Sequence, residues 1–153
     1  MYIYMSTTAG QETIFSKILI AIDGSDASMD AADYAISISK QHNAELYALH
    51  VIRADVDLFG PHETSEFMTE MRNEGKKYMD KVRLKANEKN IQIKTEFISS
   101  TNIAGGIVDY AEENNIDLIV IGTRGRSGFK KILLGSVAYK VVTYSHCPVM
   151  VVK

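Results

Sequence analysis

Two short apolar runs, residues 17–23 (KILIAID) and 117–122 (DLIVIG), lack the polar alternation of a half-exposed strand. Such runs fit strands covered on both faces, and that requires layers of helices above and below one sheet. The intervening segments supply them. Ser25 and Asp26 are candidate N-caps, and Ala32, Ala35, Ile36 and Ser39 lie on one face of a helix running to about residue 41. Residues 44–52 (AELYALHVI) read as a second strand, followed by an irregular stretch, 53–62, that holds Gly60 and Pro61. Phe67, Met71, Tyr78 and Val82 recur at helical spacing, so 64–89 reads as a long amphipathic helix, weakened at Gly75.

The second half repeats the alternation. Residues 91–99 alternate apolar and polar, as a strand exposed on one face should. Thr101 or Asn102 can cap a helix carrying Ile103, Ile107, Tyr110 and Ala111. A last helix starts near Ser136, and residues 149–152 form a final strand after Pro148. The order β-α-β-α-β-α-β-α-β implies parallel strands joined by right-handed crossovers, an α/β three-layer sandwich with about four helices. Residues 1–16 read as a loosely held N-terminal extension and 17–153 as one domain, which suits a chain of 153 residues.

Composition narrows the class. Hydrophobic residues at 46% and charged residues at 24% suit a globular chain. The single cysteine, Cys147, cannot form an internal disulfide, so the fold needs no oxidising compartment. No apolar run is long enough for a membrane helix, and the first residues lack the basic start and apolar core of a signal peptide. These features point to a cytoplasmic protein with no membrane partner. Although the net charge is only −2, residues 118–153 contain no acid and carry Arg124, Arg126, Lys130, Lys131, Lys140 and Lys153. That asymmetry suggests an anionic ligand at this end, or else a short solvated basic loop. It is too short, and the rest too acidic, for nucleic acid.

Ligands of open α/β sheets bind beyond the carboxyl ends of the strands. Asp23 and Gly24, His50 and Val51, and Gly122 with the loop after it should meet there. The loop, GTRGRSGFKKILLGS, offers glycines for close approach and a helix start at Gly135 and Ser136 suited to phosphate. It is neither a Walker A sequence nor a Rossmann fingerprint, and a structural Gly-rich turn remains the alternative. His50, at a strand end, reads as structural. Adjacent His146 and Cys147 lack further ligands at metal-site spacing, so no metal site is read there, and no catalytic residue is assigned.

The spacing Gly122-x2-Gly125-x9-Gly135-Ser136, with KILIAIDGSDAS, LHVI, DLIVIGTRGRSG and SHCPVMVV, resembles the universal stress proteins, in particular their ATP-binding branch. The resemblance implies a five-stranded parallel sheet in the order 3-2-1-4-5, of the adenine nucleotide alpha-hydrolase-like type. It implies a site for ATP or AMP, with Mg2+ as an optional companion. Asp23 would meet the ribose or adenine side, and a carboxylate there plus phosphates could share the magnesium. The main chain of Val51 would read the adenine edge. Gly122, Thr123, Arg124 and Gly125 would wrap ribose and phosphates. Gly135, Ser136 and Val137 would bind phosphate. The resemblance also implies a homodimer through the final strand, 148–153, taken as the sheet edge, and a regulatory stress-response role exercised through protein partners still to be identified. A slow ATP hydrolase and a nucleotide-free dimeric interaction module are the alternatives.

Overall fold

The computed structural model describes residues 2–4, 15–54, 63–124 and 134–153. Strand β1 (Tyr2–Tyr4) is followed by β2 (Lys17–Ala21), α1 (Asp26–His42), β3 (Glu45–Arg53), α2 (Glu63–Glu88) and β4 (Ile93–Ser100). The chain continues through α3 (Ile103–Glu113), β5 (Leu118–Gly122), α4 (Ser136–Tyr144) and β6 (Val149–Val152). The sheet order is β1-β6-β5-β2-β3-β4. Strands β2 to β6 are parallel neighbours, so, numbered among themselves, they run 3-2-1-4-5 as expected.

One expectation about the sheet is corrected. The final strand is not an edge. β1 lies antiparallel along it, with Tyr2 opposite Val151 and Tyr4 opposite Val149. The segment expected to be a loose extension thus contributes a strand, and it covers backbone groups that β6 would otherwise expose. The opposite edge is β4, where Lys94 and Glu96 point outward. Charge on an edge strand discourages unwanted pairing.

Two hydrophobic layers hold the helices to the sheet. On one side Ile18, Ile20 and Ile22 meet α1 and α2 through Ala31, Ala35, Met79 and Val82. The alanines of α1 let the helix sit close to the strands. On the other side Leu19, Ile119 and Ile121 meet α3 and α4 through Ile107, Ala111, Ala138 and Val141. The period of two in each strand sends neighbouring residues to opposite layers. β2 and β5 are covered on both faces, which is why they read as continuous apolar runs.

Helix ends follow their local chemistry. Ser25 caps α1 by accepting from the Ser28 amide, and Asn102 caps α3 by accepting from the Gly105 amide. α1 ends at Asn43 in the left-handed conformation, where asparagine is tolerated better than most residues. Gly75, expected to weaken α2, also has a packing reason. A Cβ there would lie 2.5 Å from Cδ2 of His50. Among the described residues, no helix is long and apolar enough to cross a membrane.

Candidate functional site

The carboxyl ends of β2, β3 and β5 open into a cavity of about 160 Å³. That is far more than a packing void, since one water needs only roughly 10–15 Å³ on this measure. Asp23, Val51, Gly122, Thr123, Arg124, Gly135, Ser136 and Val137 all line it. Eight residues chosen from distant parts of the sequence therefore share one wall. Gly125, Arg126, Lys130 and Lys131 of the same loop lie outside the described residues, as do Gly60 and Pro61.

The apolar side of the cavity comes from both chain periodicities. Leu49 and Val51 line it while His50 between them does not, because β3 alternates. Ile103 and Ile107, one helical turn apart on α3, complete this wall. Sequence reasoning places those isoleucines on one stripe of a helix and gives them no part in the site. Their i, i+4 spacing put them on one face, but nothing in it revealed that the face also reaches the cavity.

The polar side is built by loops tied to each other. Asp23 Oδ1 accepts from the Ser25 amide at 2.9 Å and from the Ser25 hydroxyl at 2.6 Å. Ser25 Oγ also lies 3.2 Å from the Arg124 carbonyl and accepts from the Ser28 amide. One hydroxyl hydrogen is shared between two acceptors, and the shorter contact to Asp23 takes most of it. The β2–α1 turn and the β5–α4 loop therefore meet at Ser25. The Thr123 amide donates to the Val152 carbonyl, and the Thr123 carbonyl accepts from the Gly135 amide, both at 2.6 Å. Those bonds fix the start of α4 against the sheet. Ser25→Ala should cost about 1–2 kcal/mol through loss of the cap. Urea denaturation checks this, and an unchanged midpoint would contradict it.

The N-cap of α4 is Gly135, which supplies no side-chain cap, and the first turn of the helix holds no acid. The first amides of the helix are thus left for another acceptor, and the helix dipole favours an anion there. Asp23 and Arg124 are the charged side chains on the described cavity wall. The arrangement suits a ligand with an apolar flat part and an anionic end.

Gly122, which lines the cavity, also has a packing role. A Cβ at this position would lie 2.7 Å from the carbonyl carbon of Ala27 and 2.9 Å from its Cβ. The missing side chain lets β5 pass the first turn of α1. Left-handed backbone is used by Gly24, with φ +83°, while Gly135 has an ordinary φ of −67°.

His50, His146 and Cys147 are occupied structurally. His50 Nδ1 lies 2.7 Å from the Ile22 carbonyl, to which it donates, and His146 Nε2 lies 3.0 Å from the Ile116 carbonyl. Burial pushes the Cys147 thiol up, only partly opposed by its contact with Ser145. The thiolate is the reactive form, so Cys147 should be alkylated by iodoacetamide at pH 7 more slowly than free cysteine. A faster reaction would contradict this.

Comparison with known proteins agrees with this geometry. The sequence matches the universal stress protein family over residues 15–153. A universal stress protein of Methanocaldococcus jannaschii is 42% identical, covering 99% of this chain and 90% of the relative. The universal stress protein UspA of Lactobacillus plantarum superposes with a TM-score of 0.85 at 28% identity, over 93% of this chain and all of that one. A universal stress protein of Archaeoglobus fulgidus solved in complex with dAMP is 21% identical, with a TM-score of 0.71 over 92% of this chain and 100% of that one. A further universal stress protein structure, solved in complex with cAMP, is 22% identical, with a TM-score of 0.67 over 92% of this chain and 98% of that one. With the family match spanning all but the first residues, the five parallel strands in their expected order and the 42% identical relative, this chain belongs to the universal stress protein family.

Proposed function

We propose that the chain is a regulatory protein that binds an adenine nucleotide, ATP or AMP, in the cavity at the ends of β2, β3 and β5. The observation that carries this is the pairing of an apolar wall with an uncapped helix start. Leu49, Val51, Ile103 and Ile107 suit a purine, and the amides of Ser136 and Val137 suit a phosphate. The glycine spacing of the ATP-binding branch, Gly122-x2-Gly125-x9-Gly135-Ser136, supports the same ligand. So do the dAMP and cAMP complexes of distant family members.

In this proposal the Val51 main chain reads the base, and Asp23 meets the ribose side or shares a magnesium ion with the phosphates. Thr123, Arg124 and Gly125 enclose the middle of the ligand, and Ser136 adds a hydroxyl to the helix amides. Asp23 already accepts two hydrogen bonds from Ser25. It serves binding better than it would serve as a base. Nucleotide occupancy would then set the state of the loop that protein partners sense, which requires different affinities for the two states.

A homodimer in a cytoplasmic setting belongs to the same proposal. Residues 149–151 of β6 already pair with β1. A second copy pairing along β6 must displace β1.

Thermal denaturation tests the ligand. ATP or AMP at about one hundred times its Kd should add about 2.7 kcal/mol of stability and raise Tm. No rise with either nucleotide at millimolar concentration overturns the proposal.

A further inference from the structure

We infer that Tyr78, on the side of the sheet away from the cavity, is a positioning residue for Asp23. This inference rests on the proposed nucleotide site. Asp23 precedes Gly24, whose φ of +83° turns the chain from β2 into α1. The turn presses against the ring of Tyr78. A Cβ on Gly24 would lie 2.3 Å from Cζ and 2.5 Å from Cε1 and Cε2 of that ring. The ring fills the space that a side chain would need, and only glycine permits the contact.

The ring is itself held from several directions. Its hydroxyl donates to Glu74 Oε1 at 2.6 Å, one helical turn earlier on α2. The ring lies tilted against His50, with ring centroids 6.2 Å apart, and His50 meets Phe97 edge-on at 5.9 Å. His50 fits because α2 has Gly75 beside it, where a Cβ would lie 2.8 Å from Nε2. His50 also donates to the Ile22 carbonyl, one residue before Asp23. The residues on either side of Asp23 are thus both pinned from the α2 face: Ile22 by a hydrogen bond and Gly24 by a ring.

On the cavity side the turn is restrained by Ser25 alone among these contacts, through Asp23 and Arg124. Ser25 orients the carboxylate, but it cannot stop the turn from sinking toward α2. Tyr78 blocks that movement. Without the ring, the turn can relax away from the cavity and carry Asp23 with it. Tyr78 is not among the residues that line the cavity, and the inferred route to a ligand runs through Gly24 and Asp23.

Calorimetric titration with ATP and Mg2+ of the full chain, Tyr78→Phe and Tyr78→Ala, well below their melting temperatures, tests this. Tyr78→Phe keeps the ring against Gly24 and should bind within about threefold of the unaltered chain, whereas Tyr78→Ala should bind about tenfold more weakly. Hydrogen exchange without nucleotide gives an independent readout. The Ser25 amide, bonded to Asp23, should exchange faster in Tyr78→Ala but not in Tyr78→Phe, while the amides of Ile119 and Val120 stay protected. Equal affinity of Tyr78→Ala and the unaltered chain overturns the inference. So does unchanged exchange at Ser25. If the unaltered chain binds no nucleotide, the functional proposal fails, and the exchange result still decides whether the brace exists.

Discussion

Gly122→Val should leave the chain barely folded and unable to bind nucleotide. The added Cβ would lie 2.7 Å from a backbone carbon of Ala27 and 2.9 Å from its carbonyl oxygen. Neither atom belongs to a flexible side chain that can swing aside. α1 would have to move off β5, and its buried alanines, Ala31, Ala32 and Ala35, would lose their close packing on the sheet. Overpacking of this kind costs about 1–3 kcal/mol where side chains can adjust. Against backbone the cost should be at least the upper end of that range, a large share of a total stability of about 5–15 kcal/mol. Urea denaturation measures it. A loss below about 1 kcal/mol would mean that α1 and β5 are less tightly joined than the geometry requires. Gly122→Ala should show the same sign with a smaller effect, since the first Cβ already makes the contact.

Gly24→Ala should be nearly as damaging, by a divisible route. A left-handed backbone costs a residue with a Cβ about 1–2 kcal/mol. Overlap with the Tyr78 ring adds a steric cost, because Cζ would lie at 2.3 Å. The two parts separate in a double-mutant cycle. In a Tyr78→Ala background the ring is gone, so Gly24→Ala should cost only the backbone part. The coupling energy should be about 1 kcal/mol or more in the relieving direction. Additive losses would show that the turn does not rest on the ring in solution.

What could be read from the sequence depended on whether the cause was local. Ser25 and Asn102 cap their helices because an oxygen-bearing side chain before an apolar period satisfies nearby amides. The doubly covered strands β2 and β5 were legible as unbroken apolar runs, and β4 as an alternating one. The shared cavity followed from the rule that parallel strands present their carboxyl ends together. Other features depend on contacts across the fold. β1 is three residues long and pairs with a strand at the far end of the chain, so no local pattern marks it. The Gly122 signal suggested ligand approach, and nothing local showed that the same glycine also lets α1 pack at Ala27. Gly75 looked like a flaw in α2 until His50 occupied the space. His50 is tied to Ile22, which is 28 positions away.

Equilibrium titration of the nucleotide-stripped chain with ATP and with AMP, each with Mg2+, tests the central claim most directly. The account predicts saturation at one adenine nucleotide per chain, with markedly weaker binding after Asp23→Ala or Ser136→Ala in proteins that remain folded. Absence of saturable binding by either nucleotide up to millimolar concentration, in a chain shown to be folded, would contradict it.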